Sequence, residues 1–398
     1  MIRLKPLESN IIVEPATSIE QCKMALEISL QSFYPDGYTS LQKANLEMNW
    51  FSEPSFSPEM ILLLKNDSEQ ILGGVRSVSR KMARFNQIYE CLGISEIFIR
   101  PKFQGRGYSN LLVTNLLESA HKQGYDLAIG VSRKKIDGFY LKYNFFGLAN
   151  YSKIIIESED ALSNEYNSHI YEFRPLRRVE LDNRFYENSY KSVFGRMLRT
   201  NADWDFMFDK IVNNRWEGYS IHDNSLLGYV IVSEGNIIEL SYGVHVDLKI
   251  LLKSLCVLTD KSTLTLKLPS SHSLFNKDLG LDVTFIEREC VFGGHIVKVL
   301  NLEKALVKYS ERINDIKFNR VKQFWHESDV SQEDSLIYLD EVRSILDSKK
   351  TNGDSGIDNI SLELTRLLLG VKSPYHQLIS VEFRHIVEPF FISVVDEF

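Results

Sequence analysis

Hydrophobic and polar positions along the chain switch between a period of two and a period near 3.6, which separates strands from helices. Ile11 to Pro15 reads as a short strand, and Ser18 to Ser32 as a helix capped by Ser18. Ile19, Cys22, Ala25, Leu26 and Leu30 share one face of that helix. Leu41 to Trp50 predicts a second helix, and Met60 to Lys65 with Gln70 to Ser79 a strand pair turning at Asn66-Asp67. The strand Ile94 to Ile99 stops at Pro101, which has no N–H for a ladder. A helix from Asn110 to Lys122 follows, with Ser109 or Asn110 as its cap. Its apolar positions Leu112, Val113, Leu116, Leu117 and Ala120 recur at helical spacing. Leu127 to Val131 is nearly all apolar, as in a strand covered on both faces. A helix at Phe139 and a strand Ser152 to Glu157 close a first domain, residues 1–160.

The same order then recurs. Val179 to Phe194 and Asn201 to Val212 predict helices, followed by strands Gly218 to His222, Leu226 to Ser233 and Ile237 to Tyr242. A helix Leu248 to Thr259 and a strand Thr263 to Leu268, stopped by Pro269, complete a second domain, residues 161–295. Either a degenerate copy of the first domain or an unrelated α/β domain fits this order. Residues 296–398 form a third segment: a strand Val297 to Leu300, a helix capped by Asn301, helices Leu336 to Leu346 and Ile360 to Leu369, and an apolar end. A terminus this apolar is expected to dock. The fold class is α/β (α+β).

Composition narrows the function classes. With 398 residues, 44% of them hydrophobic, and a mean hydropathy of -0.16, the chain is a globular protein of two to three domains. A net charge of -7 argues against a nucleic-acid binder. No apolar run reaches the roughly 18 residues of a membrane span, so no membrane partner is expected. Cys22, Cys91, Cys256 and Cys290 are isolated, and neither they nor the nine histidines show metal-ligand spacing. No metal and a cytoplasmic location are the expectation.

Candidate chemistry sits between the Ile94 strand and the helix after it. The loop reads Gln104-Gly105-Arg106-Gly107-Tyr108-Ser109, and two glycines let backbone N–H groups converge without Cβ clashes. Converging N–H groups at a helix N-terminus make an anion site. A plain βα turn with two glycines fits the loop equally well.

Gln-x-x-Gly-x-Ser after a strand ending in Arg100-Pro101 resembles the acetyl-CoA loop of the GCN5-related N-acetyltransferases, the GNAT family. Ser109 stands where that family prefers Gly or Ala. Downstream, Gly138-Phe139-Tyr140-Leu141-Lys142-Tyr143-Asn144-Phe145 resembles the family's tyrosine helix and the aromatic after it. The resemblance implies a GNAT fold, acetyl-CoA as cosubstrate and a small-molecule amine as acceptor. It implies that Ile97, Phe98 and Ile99 offer main-chain groups to the pantetheine arm, and that Gln104, Gly105, Arg106, Gly107, Tyr108, Ser109 and Asn110 hold the pyrophosphate. Tyr140 matches the family's general acid. In that fold the two early helices border the acceptor cleft, where Phe33, Tyr34 and Trp50 either line it or simply pack.

The sequence from Ile296 to Leu306, the run Leu367-Leu368-Leu369-Gly370 and the end Asp396-Glu397-Phe398 resemble the Eis-type acetyltransferases. That branch implies a second GNAT-like domain without a glycine loop, a sterol-carrier-protein-like third domain and a homo-oligomer, a hexamer. It also implies that the terminal carboxylate, here on Phe398, is the base. Glu96 or a water is the alternative base. An aminoglycoside or polyamine, a lysine amine and an amino-sugar of surface polysaccharide synthesis remain open as acceptors, as does a non-catalytic acyl-CoA-binding module.

Overall fold

The computed structural model describes residues 11–84, 87–147, 150–155, 170–213, 216–269, 271–276, 279–280, 282–287, 294–301 and 304. These form two compact units. One comprises the described residues up to Lys81 together with Tyr89–Val131, and the other Met82–Ile88 and the described residues from Ser132 on.

The first unit carries β1 (Ile12–Pro15), α1 (Ile19–Phe33), α2 (Ser40–Phe51), β2 (Ile61–Lys65), α3 (Tyr108–Lys122) and, except for residues 82–84, 87–88 and 132, β3 (Ile71–Arg84), β4 (Gln87–Ile99) and β5 (Leu127–Ser132). Its strands lie in the order β1-β2-β3-β4-β5. β1/β2 and β2/β3 are antiparallel, whereas β4/β5 is parallel and needs α3 as its crossover. α1 starts where the sequence predicts, because the Ser18 hydroxyl accepts from the Gln21 N–H. Thr39 and Gln42 close a reciprocal capping box on α2. Cys22, Ala25, Leu26 and Leu30 of α1 pack with Trp50, Ile61, Leu63 and Phe98 in one core. β3 and β4 approach so closely that a Cβ on Gly73 would lie 2.4 Å from the Phe98 carbonyl oxygen.

The second unit carries α4 (Asp137–Leu141), β6 (Phe146–Gly147), β7 (Asn150–Ile155), β8 (Glu172–Pro175), α5 (Asn183–Tyr190), β9 (Arg196–Met197) and α6 (Asn201–Val212). Then follow β10 (Glu217–Asp223), β11 (Ser225–Ser233), β12 (Asn236–Tyr242), α7 (Leu248–Thr259), β13 (Thr263–Leu266), β14 (Asp282–Glu287) and β15 (Gly294–Val299). Its seven-stranded sheet runs β14-β7-β13-β12-β11-β10-β8. Apart from the two-residue β9 between α5 and α6, the run β8-α5-α6-β10-β11-β12-α7-β13 follows the order β1-α1-α2-β2-β3-β4-α3-β5, down to a parallel last pair.

Several expectations change. β4 begins at Gln87, seven residues before Ile94, because its first half alternates less cleanly. α3 begins at Tyr108, with Gly107 as its cap in the left-handed region, so neither Ser109 nor Asn110 caps it. The helix expected over 179–194 shrinks to α5: Asp182 caps it through the Arg184 N–H, and a 3-10 turn at Arg178–Glu180 precedes it. β7, expected to close the first domain, instead pairs antiparallel with β13 and β14, Ile154 facing both Leu264 and Val283. β15, expected to open the third segment, pairs with β6. Periodicity fixes that a strand exists and which way it faces, not its partner. Asn301 does accept from the Lys304 N–H, as a helix cap would. Cys290, Phe398 and, beyond Asn301 and Lys304, the rest of the third segment lie outside the described residues.

Candidate active site

β4 and β5 pair in parallel only from Cys91↔Leu127 to Ile94↔Gly130. Beyond Ile94 the register stops, and β4 continues through Ser95, Glu96 and Ile97, which are partly exposed, to the buried Phe98 and Ile99. The strand end stays attached on its other side: the Arg100 N–H donates to the Leu72 carbonyl at 2.9 Å, and Arg100 Nε to that of Ile71 at 2.7 Å. A strand that leaves its neighbour's ladder offers main-chain groups to an extended ligand.

The loop follows directly. The Ile99 carbonyl accepts from Ser32 Oγ at 3.1 Å and Gln104 Nε2 at 3.0 Å, which ties α1 and the loop to the strand end. Gly105 and Gly107 adopt φ of 76° and 84°, where a Cβ is disfavoured. No side chain caps α3 and no acid lies in its first turn. Its N-terminal N–H groups and positive dipole end therefore suit an anion. Ser109 is partly buried and Asn110 exposed, whereas Tyr108 points into the core, where its hydroxyl finds no hydrogen-bond partner among the described residues. Of Tyr108, only the backbone can serve the loop.

Glu96 is held between the two early helices. Its carboxylate accepts from Ser29 Oγ of α1 at 2.6 Å and Trp50 Nε1 of α2 at 3.0 Å. Arg76 of β3 lies 5.7 Å from the Trp50 ring centre and donates to Ser95 Oγ and the Asn49 carbonyl. Burial pushes the Arg76 pKa down, and Glu96 and Glu53 oppose that shift. Trp50 is completely buried, so it packs instead of lining a cleft; Phe33 is partly buried and Tyr34 exposed. Sequence reasoning missed Ser29 and Arg76. The available signal was polarity on a buried face: Ser29 lies three positions after Leu26 on the apolar stripe of α1.

Tyr140 belongs to α4 and is buried, edge-on to Phe139 at 5.1 Å and Phe145 at 5.6 Å. Burial pushes its phenol up to about 12, so it keeps its proton throughout the neutral range.

The sequence profile of the acetyltransferase (GNAT) domain family matches residues 18–148, which hold α1, the Glu96 cluster, the glycine loop and Tyr140. Residues 18–148 are a GNAT acetyltransferase domain. No curated protein matches the chain. Among solved structures, a conserved protein of unknown function and probable N-acyltransferase from Enterococcus faecalis is similar at 14% identity and a TM-score of 0.54, covering 74% of this chain and 73% of that one. Eis1 from Mycobacterium abscessus is similar at 14% identity and a TM-score of 0.52, over 75% and 76% of the two chains. A GCN5-related N-acetyltransferase from Kribbella flavida gives 14% and 0.52, over 75% and 73%. At such identities the likeness is one of fold. The open end of β4, the glycine loop and the uncapped α3 are thus features of a GNAT domain. Among the described residues no helix is long and apolar enough to cross a membrane.

Proposed function

We propose that this GNAT protein moves the acetyl group of acetyl-CoA to the primary amine of a small cationic acceptor, of aminoglycoside, polyamine or lysine type. The observation that carries the reading is the end of the β4/β5 register at Ile94↔Gly130, followed at once by a left-handed glycine loop and an uncapped helix. Ile97 to Ile99 would pair with the pantetheine amides, and the residues Gln104 to Asn110 would hold the pyrophosphate. When bound, acetyl-CoA supplies a thioester carbonyl and a thiolate leaving group.

The chain's own groups then move protons. Glu96 takes one proton from the acceptor ammonium, directly or through a water, and passes it to solvent. The freed lone pair forms the N–C bond, and the C–S bond breaks. By the family resemblance, the sulfur takes a proton from the Tyr140 phenol, which regains one from solvent, where the second amine proton is released. At a pKa of about 12, the phenol acts first as a hydrogen-bond donor to the developing thiolate. The terminal carboxylate of Phe398 is the competing base.

Thiol release from acetyl-CoA, measured with kanamycin, spermidine, an amino-sugar nucleotide and a lysine peptide, tests the reading. Turnover with one class establishes the transferase and names the acceptor type. Tight acetyl-CoA binding without any turnover would point to a binding module. No binding would overturn the assignment. Adding residues after Phe398 should leave turnover intact if Glu96 is the base and abolish it if Phe398 is.

A further inference from the structure

The second unit contains a counterpart of Glu96 in a different setting. Glu239 lies on β12, the strand beside parallel β13, as Glu96 lies on β4 beside parallel β5. Glu239 is completely buried and paired with Arg199 through two bonds of 2.7 and 2.5 Å. It also accepts from the Tyr229 hydroxyl at 2.6 Å. The Arg199 guanidinium lies 4.2 and 4.6 Å from the ring centres of Tyr186 and Trp204, which themselves meet edge-on. That carboxylate is neutralised and sealed.

Glu96 receives no such partner. Its two bonds come from neutral donors, one per oxygen, and it stays partly exposed. Arg76 is the guanidinium that faces it, yet both Arg76 Nη atoms are spent on Ser95 and Asn49. Farther along, Arg80 is paired with Glu53 at 2.5 Å. Neutral donors fix a carboxylate's orientation without cancelling its charge. The remaining lone pairs stay open to a cation.

We infer that Ser29 and Trp50 are positioning residues for the transfer reaction: they clamp Glu96, one oxygen each, so that its free lone pairs address the acceptor ammonium. This rests on the transferase reading above. Arg76, stacked on Trp50, keeps the indole in place.

A double-mutant cycle tests it, with the amine that turns over as acceptor. Ser29→Ala and Trp50→Phe should each lower kcat/KM for the amine about tenfold, a charged hydrogen bond's worth, with the Kd for acetyl-CoA unchanged. Ser29→Thr should restore most of the loss. Glu96→Gln alone should cost about a hundredfold. In the Glu96→Gln background, Ser29→Ala and Trp50→Phe should have no further effect, because their target is gone. Losses of undiminished size in that background, or wild-type kcat/KM in Glu96→Gln, would overturn the inference while leaving the transferase reading intact. Loss of acetyl-CoA binding in the unmutated protein sinks the reading itself. An activity-independent arm uses the indole N–H resonances of the four tryptophans. The one that vanishes in Trp50→Phe should move in Glu96→Gln, and an unmoved resonance counts against the clamp. If Trp50→Phe does not fold, the Ser29 arm alone decides.

Discussion

A single hydroxyl separates Tyr140 from phenylalanine, and its burial between Phe139 and Phe145 means that removing it leaves the packing in place. Tyr140→Phe should therefore lower kcat by about a hundredfold or more while the Kd for acetyl-CoA changes less than twofold, as calorimetry and steady-state kinetics would show. Unchanged turnover would remove Tyr140 from the mechanism. His272 is buried as completely as any residue here. Its Nε2 donates to the Leu240 carbonyl at 3.0 Å, and its Nδ1 accepts from the Leu274 N–H at 3.2 Å. That arrangement admits only the neutral ring, and burial lowers its pKa from 6.5 to about 4. Between those values the unfolded chain binds a proton that the folded one refuses, so stability present above pH 6.5 is lost as pH falls toward 4. The loss is on the order of 3 kcal/mol. Thermal melts from pH 7 to pH 5 should show it, and His272→Gln should flatten the dependence. Neither residue's environment was legible in the sequence. Tyr140 was found through its neighbours in the chain, whereas the setting of Glu96 depends on Ser29 and Trp50, 67 and 46 positions away.

Elements were more legible than their ends and partners. Residues 94–99 and 112–122 announce a strand and a helix by spacing alone. What the spacing could not show is that Gly107, not a hydroxyl residue, starts α3. Gly107 satisfies the left-handed region, and it brings no side-chain acceptor to the first N–H groups of the helix. The contrast is α7, where the Asp247 carboxylate accepts from the Lys249 and Ile250 N–H groups at 2.9 and 3.2 Å. An internal carboxylate there occupies the place an anion would take. Gly107→Glu should do the same to α3. Acetyl-CoA affinity should fall at least a hundredfold by calorimetry, roughly what an added carboxylate and a strained φ together cost. Retained affinity would contradict the loop assignment. Buried charge was the least legible feature: nothing in the pattern of β3 singles out Arg76 and Arg80, yet both are buried.

Across the whole molecule, the sequence places domain boundaries near 160 and 296, and the strands do not respect them. β7 lies before residue 160 and pairs between β13 and β14; the Ser152 hydroxyl reaches the Leu268 carbonyl at 3.3 Å. Local pattern has no means of recording a partner more than a hundred positions away. A fragment that begins at residue 161 would expose the edges of both β13 and β14, so we expect it to aggregate or melt well below the intact protein. A fragment that begins at residue 146 and so keeps β7 should behave better. Size-exclusion chromatography and circular dichroism of the two fragments would distinguish the cases, and equal stability would contradict the register.

The placement of β7 also has a consequence in time. As the chain leaves the ribosome, Asn150–Ile155 emerges before Thr263–Leu266 and Asp282–Glu287, the segments on either side of it. At bacterial-like synthesis rates that gap of more than a hundred residues lasts on the order of ten seconds. During that interval the strand has no ladder of its own, and pairing across such sequence distance is intrinsically slow. Folding of this protein should therefore finish late, after synthesis has passed residue 287, with β7 waiting as the segment a nascent-chain chaperone would hold.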